Sequence, residues 1–486
     1  NLLLTLLGAL LGVLIAFSGV GLLTAFAARY SNRANEISLD GTVFGFTIAL
    51  AVLLALLLSV LATMPREGTF ASISSGAKRL TANLSKQRIQ RALVIAQVAV
   101  SVVLLAGAGL LTRTMIRLSD VSTGLRTEQV LTLPVPLFNP SRVTLQADAA
   151  AKVLYEQMRQ EVRALPGVVE VGVGTTMPLR TSIVDLEITA EGKALAVGEV
   201  TPKADVRAAG PEYFRAAGIP LLKGREFDIT DQPGGGRVAI INQTLADRFF
   251  PGEDPIGKRI AWSGPILKFT PFSGEWRTVV GVVGNTADGG LDAKPRSAVF
   301  MPFAQEFAIG GGLVIRADSN VESLKTAATR IVRRIAPGVP LDDILTVAQI
   351  KDQSVSPRRL NALLLSSFSV LAVIIAAVGI AGVLAFSVSA RTNEIGIRMS
   401  LGAGRAQVQR MILKEGGVLL AFGVMFGIVG AVFATRTMQG LLFGVAPDDP
   451  TTMIGVSVMM ATIGIAACWI PALRASRIDP AITMRA

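Results

Sequence analysis

The chain has 486 residues, of which 51% are hydrophobic and only 17% charged, and it carries a formal net charge of +12. A mean hydropathy of +0.54 points to a membrane protein with a sizeable aqueous part and away from a wholly soluble one. With no histidine and a single cysteine, Cys468, the composition excludes histidine-based triads and metal sites, intramolecular disulfides and CxxC redox motifs.

The sequence opens at Asn1 directly on an apolar run, and is expected to be a fragment or a processed product. Six stretches free of Asp, Glu, Lys and Arg are long enough to cross ~30 Å of hydrocarbon as helices, which takes about 20 residues each. They are 2–26, 42–64, 92–112, 360–390, 416–435 and 451–470. The first is no simple signal peptide, because it lacks a basic leading region and a second span follows it.

Loop charges orient these spans. Segment 65–91 holds Arg66, Lys78, Arg79, Lys86, Arg88 and Arg91 against one acid, Glu67. Segment 391–415 is also basic, and the tail adds Arg474, Arg477 and Arg485. The short loops at 32–40 and 436–450 are neutral or slightly acidic. The excess of Lys and Arg places the basic segments in the cytoplasm and residues 113–359 outside. It also accounts for most of the positive charge without nucleic acid as a partner.

The spans are rich in small residues. Gly8 and Gly12 form a GxxxG, as do Gly423 and Gly427. Close packing between spans and the general frequency of glycine in membrane helices both explain this, and the pattern does not separate them. No ionisable residue falls within a predicted span, which argues against an ion-coupled carrier.

The outer segment alternates strand and helix signals. Apolar residues at helical spacing predict a helix over 145–165, followed by a strand at 168–173. Near the other end, a strand at 313–317, a helix at 321–336 and a strand at 341–347 are predicted. Between them lie short strands at 238–241, 258–262, 277–283 and 298–301. The pattern predicts an α+β base, about 119–200 and 306–350, with a β-rich insert at about 201–305. Asp228, Asp231, Glu253, Asp254, Asp342 and Asp343 read as solvated surface residues, since nothing in their spacing fixes an acid–base geometry. Gly234–Gly236 are not followed by Lys-Ser/Thr, so they form no phosphate loop, and there is no GxSxG elbow. The expectation is no catalytic activity, no cofactor and no metal.

The spans also repeat. In each pair a Gly-rich span leads to an outer loop ending Asp-x-Thr (Asp40-Gly41-Thr42; Asp449-Pro450-Thr451). A second span then runs to a proline, Pro65 or Pro471, and a basic stretch. Residues 1–64 are therefore expected to be the last two helices of a first repeat, joined by the basic cytoplasmic linker 65–91 to a complete second repeat.

The most specific segment runs Ala390-Arg391-Thr392-Asn393-Glu394-Ile395-Gly396-Ile397-Arg398-Met399-Ser400-Leu401-Gly402-Ala403. Together with Pro471-Ala472-Leu473-Arg474-Ala475-Ser476-Arg477-Ile478-Asp479-Pro480, it closely resembles the MacB/FtsX-like family of ABC transporter permeases. Tyr213-Phe214, Gly218-Ile219-Pro220, Gly224-Arg225, Asn242 and Phe249-Phe250-Pro251-Gly252-Glu253-Asp254-Pro255-Ile256-Gly257 resemble the outer domain of that family. The two-repeat layout is similar to the duplicated permeases described from acidobacteria, lacking the amino-terminal part of their first repeat.

This resemblance implies an α-helical membrane protein with six transmembrane helices and one α+β extracytoplasmic, MacB-like domain at 113–359. Helix three spans 92–112, and an FtsX-like domain with three further helices occupies 360–486. It implies a bacterial inner-membrane location with the large domain in the periplasm, and an ATPase-coupling role for Arg391, Glu394, Gly396, Arg398, Leu401, Gly402 and Ala403 in segment 391–415. Residue chemistry alone leaves a linker anchored to anionic lipid headgroups equally open. No GxxxxGK[ST] occurs in the chain, so ATP would be bound by a separate ABC ATPase subunit. A periplasmic adaptor or envelope protein and membrane lipid are the other expected partners. The implied function is a permease subunit that transmits ATP-driven motion to the outer domain for export or efflux. The alternative is a non-transporting envelope signalling or scaffold protein.

Overall fold

The computed structural model describes residues 77–137, 145–182, 184–193, 200–265, 267, 274–306, 310–318 and 321–476, with a few isolated helical positions between 12 and 52. The two spans expected at 2–26 and 42–64 lie outside the described residues, as does the tail motif from Arg477 onward. The chain divides into one unit comprising residues 1–119 and 356–486 and another from Asp120 to Val355.

The first unit is helical. Its described elements are α1 (Ala77–Ser119), the membrane end of α6 (Val347–Ala390), α7 (Thr392–Ser400), α8 (Arg405–Thr437) and α9 (Pro450–Ala475). Four helical stretches, Arg88–Ser119, Val347–Ala390, Arg405–Thr437 and Pro450–Ala475, are long and apolar enough to cross a membrane. Their buried seam joins Val94, Val98 and Val102 to Ala376, Ile380, Leu384, Leu420 and Met460. Glycines bring the backbones together. A Cβ added at Gly423 would lie 2.5 Å from Val98, and one at Gly427 would lie 2.6 Å from Val102, so α8 approaches α1 as only small residues allow. The Ser101 hydroxyl donates to the Ala372 carbonyl at 2.9 Å and ties α1 to α6. At the loop before α9, Asp449 accepts from the Thr452 amide at 2.9 Å and hydroxyl at 2.6 Å, Pro450 occupies the first turn, and Arg113 of α1 pairs with the same carboxylate. This is a complete helix start: side-chain cap, proline and counter-charge.

The second unit is a mixed sheet with flanking helices. Its strands are β1 (Val130–Pro134), β2 (Val168–Gly174), β3 (Asp185–Ala190), β4 (Lys203–Ala209), β5 (Leu221–Gly224), β6 (Val238–Asn242), β7 (Arg259–Ser263), β8 (Arg277–Val283), β9 (Ala298–Pro302), β10 (Gly312–Ala317) and β11 (Leu345–Thr346). Its helices are α2 (Leu145–Arg163), α3 (Tyr213–Ala217), α4 (Gln243–Phe249) and α5 (Val321–Ile335). The base runs β11-β1-β10-β2-β4. Strand alternation sends Leu131, Leu133, Leu313 and Ile315 to the face covered by α2 and α5. Val130 and Val314 face the opposite side, against Tyr213 and Phe214 of α3. The remaining strands close into a ring, β4-β3-β7-β8-β6-β9, completed by the parallel pair β9–β4 with Val206 opposite Val299. Ile188, Val206, Ile241, Trp262, Val279 and Met301 fill it.

The strand predicted at 341–347 shrinks to Leu345–Thr346. Asp343 takes a positive φ of 56°, which breaks extended pairing before it. Thr346 and Gln349 then form a reciprocal capping box, with the Thr346 amide donating to Gln349 at 2.9 Å and the Gln349 amide donating to Thr346 at 3.1 Å, which starts α6 one residue later.

Candidate functional site

The residues singled out in segment 391–403 form a short hairpin on α8. Helix α6 ends at Ala390, and α7 opens at Arg391, whose carbonyl accepts from the Ile395 amide at 3.0 Å. Ile395 and Gly396 are buried, and Ile395 packs in the same cluster as Val408 and Ile412 of α8. The opposite face of α7 is exposed. Arg398 pairs with Glu394 at 2.6 Å, one helical turn apart. Beside them Ile397 is 53% and Leu401 82% exposed.

The turn back to α8 is a Schellman motif. The Gly402 amide donates to Met399 O at 3.1 Å and the Ala403 amide to Arg398 O at 2.9 Å. Gly402 sits at φ +97°, a left-handed conformation that costs a side-chain-bearing residue free energy. Arg391, Glu394, Gly396, Arg398, Leu401, Gly402 and Ala403 therefore lie on one α7–turn element, two of them pairing with each other. Gly423 and Gly427 belong to the separate α8–α1 contact. Gly8 lies outside the described residues, and Gly12 is described only in isolation.

Sequence reading missed Glu415. The charge-free span was begun at Gly416, which left Glu415 as the end of a basic linker. In the structure α8 runs unbroken through it. Its carboxylate faces Arg91 of α1, the Ser387 hydroxyl of α6, which donates at 3.3 Å, and Arg391 at 3.8 Å. The available signal was that Glu415 is the one acidic residue between Glu394 and Asp448.

In the sheet unit, Asp231 is corrected from solvated to structural. It is 5% exposed, takes both Arg225 terminal nitrogens at 2.7 and 2.8 Å and accepts from the Asp228 amide at 3.0 Å. A cavity of about 440 Å³ is lined in part by Thr175, Arg180, Arg207 and Asp343. Arg207 there is matched by Asp205 and Asp288 and Arg180 by Asp343, and Asp342 also lines the cavity, with no assembled acid–base pair among these groups. Among the described residues no cluster of His, Cys, Asp or Glu is placed to hold a metal ion.

A bundle of apolar helices with a separate folded sheet unit is a membrane protein with a domain outside the bilayer. The MacB-like periplasmic core domain profile matches residues 92–344, and the FtsX-like permease C-terminal profile matches residues 366–480. The first covers more than half of the residues, and the chain belongs to the MacB/FtsX-like family of permeases. It is an inner-membrane protein with a periplasmic domain.

Among curated proteins it is 26% identical over 304 residues to the macrolide export ATP-binding/permease protein MacB of Neisseria meningitidis, covering 60% of this chain and 45% of that one. It is 28% identical over 298 residues to the protein of the same name from Nitrobacter winogradskyi, covering 58% and 44%. The chain thus spans less than half the length of these relatives. The periplasmic region of MacB from Actinobacillus actinomycetemcomitans aligns with a TM-score of 0.32 at 14% identity, covering 48% of this chain and 96% of that one.

Proposed function

We propose that the chain is the permease subunit of an ABC transporter of the mechanotransmitting kind, working in export or efflux. It catalyses no reaction itself. A separate ABC ATPase binds ATP, docks on the basic cytoplasmic face and moves segment 391–415, and the spans carry that motion to the periplasmic domain. The chain threads the membrane six times, with both basic linkers and the carboxy terminus inside. A periplasmic adaptor or envelope protein receives the motion of the outer domain.

The observation that carries this reading is the exposed face of α7. Glu394, Ile397, Arg398 and Leu401 lie on one side of a helix whose other side is anchored in the bundle by Ile395. An apolar pair rimmed by an ion pair is the composition of a protein contact, with apolar centre and polar rim. A headgroup-anchored linker is expected to turn its apolar residues to lipid and leave only cations at the rim.

The test is co-purification of the full chain with an ABC ATPase and measurement of its turnover. Replacing Glu394 or Gly402 by alanine is expected to lower permease-dependent turnover by about tenfold, equivalent to ~1.4 kcal/mol of coupling. Turnover indifferent to both changes contradicts the assignment.

A further inference from the structure

The coupling segment is tied to the rest of the bundle by more than its own hairpin. Glu415, 17% exposed on its side chain, gathers groups from three places in the chain. Arg91 lies on α1, Ser387 near the end of α6, and Arg391 at the joint between α6 and α7. Helix α1 is the element through which the chain leaves for the outer domain, and α6 is the one through which it returns. Resting on the coupling reading above, we infer that Glu415 is the positioning residue that fixes the coupling segment to both of these helices.

The physical argument turns on charge. A lone exposed ion pair is worth ~0–1 kcal/mol, too little to transmit force. Here one carboxylate is shared by two guanidinium groups and a hydroxyl, next to Gly416, where a Cβ would lie 2.4 Å from Cys468 Sγ and 3.0 Å from Leu384. The carboxylate is mostly withdrawn from water at 17% exposure, while Arg91 at 38% and Arg391 at 39% stay partly solvated, so the strength of the site comes from several partners converging on one acid and not from a dry environment. Neutralising Glu415 removes the carboxylate that Arg91 and Arg391 share. The α7 hairpin does not depend on it, because the Schellman turn, the Glu394–Arg398 pair and the Ile395 anchor all remain. Loss of Glu415 therefore leaves the ATPase docking face and the glycine-mediated α8–α1 packing in place but removes the polar link that fixes the coupling segment to α1 and to the end of α6.

The experiment uses the full chain in lipid nanodiscs with the ATPase that co-purifies with it, and compares Glu415→Gln, Glu415→Asp, Arg91→Gln and the Glu415→Gln/Arg91→Gln pair. The readouts are the ATPase retained on tagged permease, the KM for ATP and permease-dependent turnover. Glu415→Gln and Arg91→Gln are each expected to lower turnover about fivefold or more, with retention within about twofold and KM unchanged, and the double variant is expected to be no worse than the worse single. Glu415→Asp, which keeps the charge, is expected to recover more than about half of the turnover.

Full turnover in Glu415→Gln, in a complex where Glu394→Ala loses it, overturns the positioning role while leaving the coupling reading standing. Losses that multiply in the double variant overturn it as well, because the two residues would then act independently. If Glu415→Gln does not accumulate as folded protein, Arg91→Gln breaks the same pair from the other side and is judged by the same outcomes. Turnover that ignores Glu394 and Gly402 as well overturns both readings together.

Discussion

At the end of β6 the Asn242 side chain, 3% exposed, makes four hydrogen bonds. It accepts from the Leu245 amide at 3.2 Å and the Ala298 amide at 2.9 Å, and donates to Asn285 Oδ1 at 2.9 Å and Arg296 O at 2.8 Å. One residue thereby caps α4, holds β9 and fixes the loop after β8. Replacement by leucine keeps the volume but orphans two buried amides, so Asn242→Leu is expected to destabilise the periplasmic domain by about 3 kcal/mol. The denaturant midpoint followed through the buried Trp262 measures it, and a loss below about 1 kcal/mol contradicts the account. The sequence marks Asn242 only through its family motif, since all its partners but Leu245 lie over forty residues away. The same limit hid Glu415, whose partner Arg91 is brought near by folding, whereas Asp231 binds Arg225 only six residues away and was missed through the local turn that joins them.

Among the elements, the α8–α1 contact is set by glycine. Gly427→Leu forces side-chain carbons into Val102 and is expected to cost about 1–3 kcal/mol of bundle stability. Gly417→Ala, on the same helix with nothing within 4 Å of an added Cβ, is expected to be neutral or slightly stabilising. Thermal unfolding in detergent compares the two, and equal effects would remove the packing role. The start of α9 makes a pH prediction. Hydrogen bonds from the Thr452 and Thr451 hydroxyls, aided by Arg113, hold the Asp449 carboxyl well below the usual carboxylate range. A depressed folded pKa contributes stability above the unfolded value, about 3.9, and loses it as pH falls through the folded value. Asp449→Ala is therefore expected to lower the unfolding temperature across neutral pH, with the gap to the parent closing only below about pH 4. A gap that closes near pH 6 contradicts this assignment.

For the whole molecule, length and charge patterns carried most of the architecture. Four of the expected spans correspond to helices because each has an uninterrupted apolar run, and hydrocarbon tolerates little else. The helix at 145–163 and the strands at 168–174 and 277–283 were legible from periodicity. Closure of the ring was not, since β9 reaches β4 in parallel across almost a hundred residues; β3 and β4 do alternate polar and apolar residues, but neither was singled out. The candidate site was legible as a segment, through its Glu-Ile-Gly-Ile-Arg motif, but its attachment through Glu415 was not.

The coupling role requires that the outer domain and segment 391–415 lie on opposite sides of the membrane, and that the ATPase covers the inner one. Cys468 is buried, so cysteines introduced one at a time can be read without a competing surface thiol. Lys223→Cys and Leu401→Cys, treated in intact cells with a membrane-impermeant maleimide, provide the measurement. The expected result is labelling of position 223 from outside, with position 401 labelled only after permeabilisation and protected when the partner ATPase is bound. Labelling of position 401 from outside, or labelling inside that the ATPase does not alter, would contradict it.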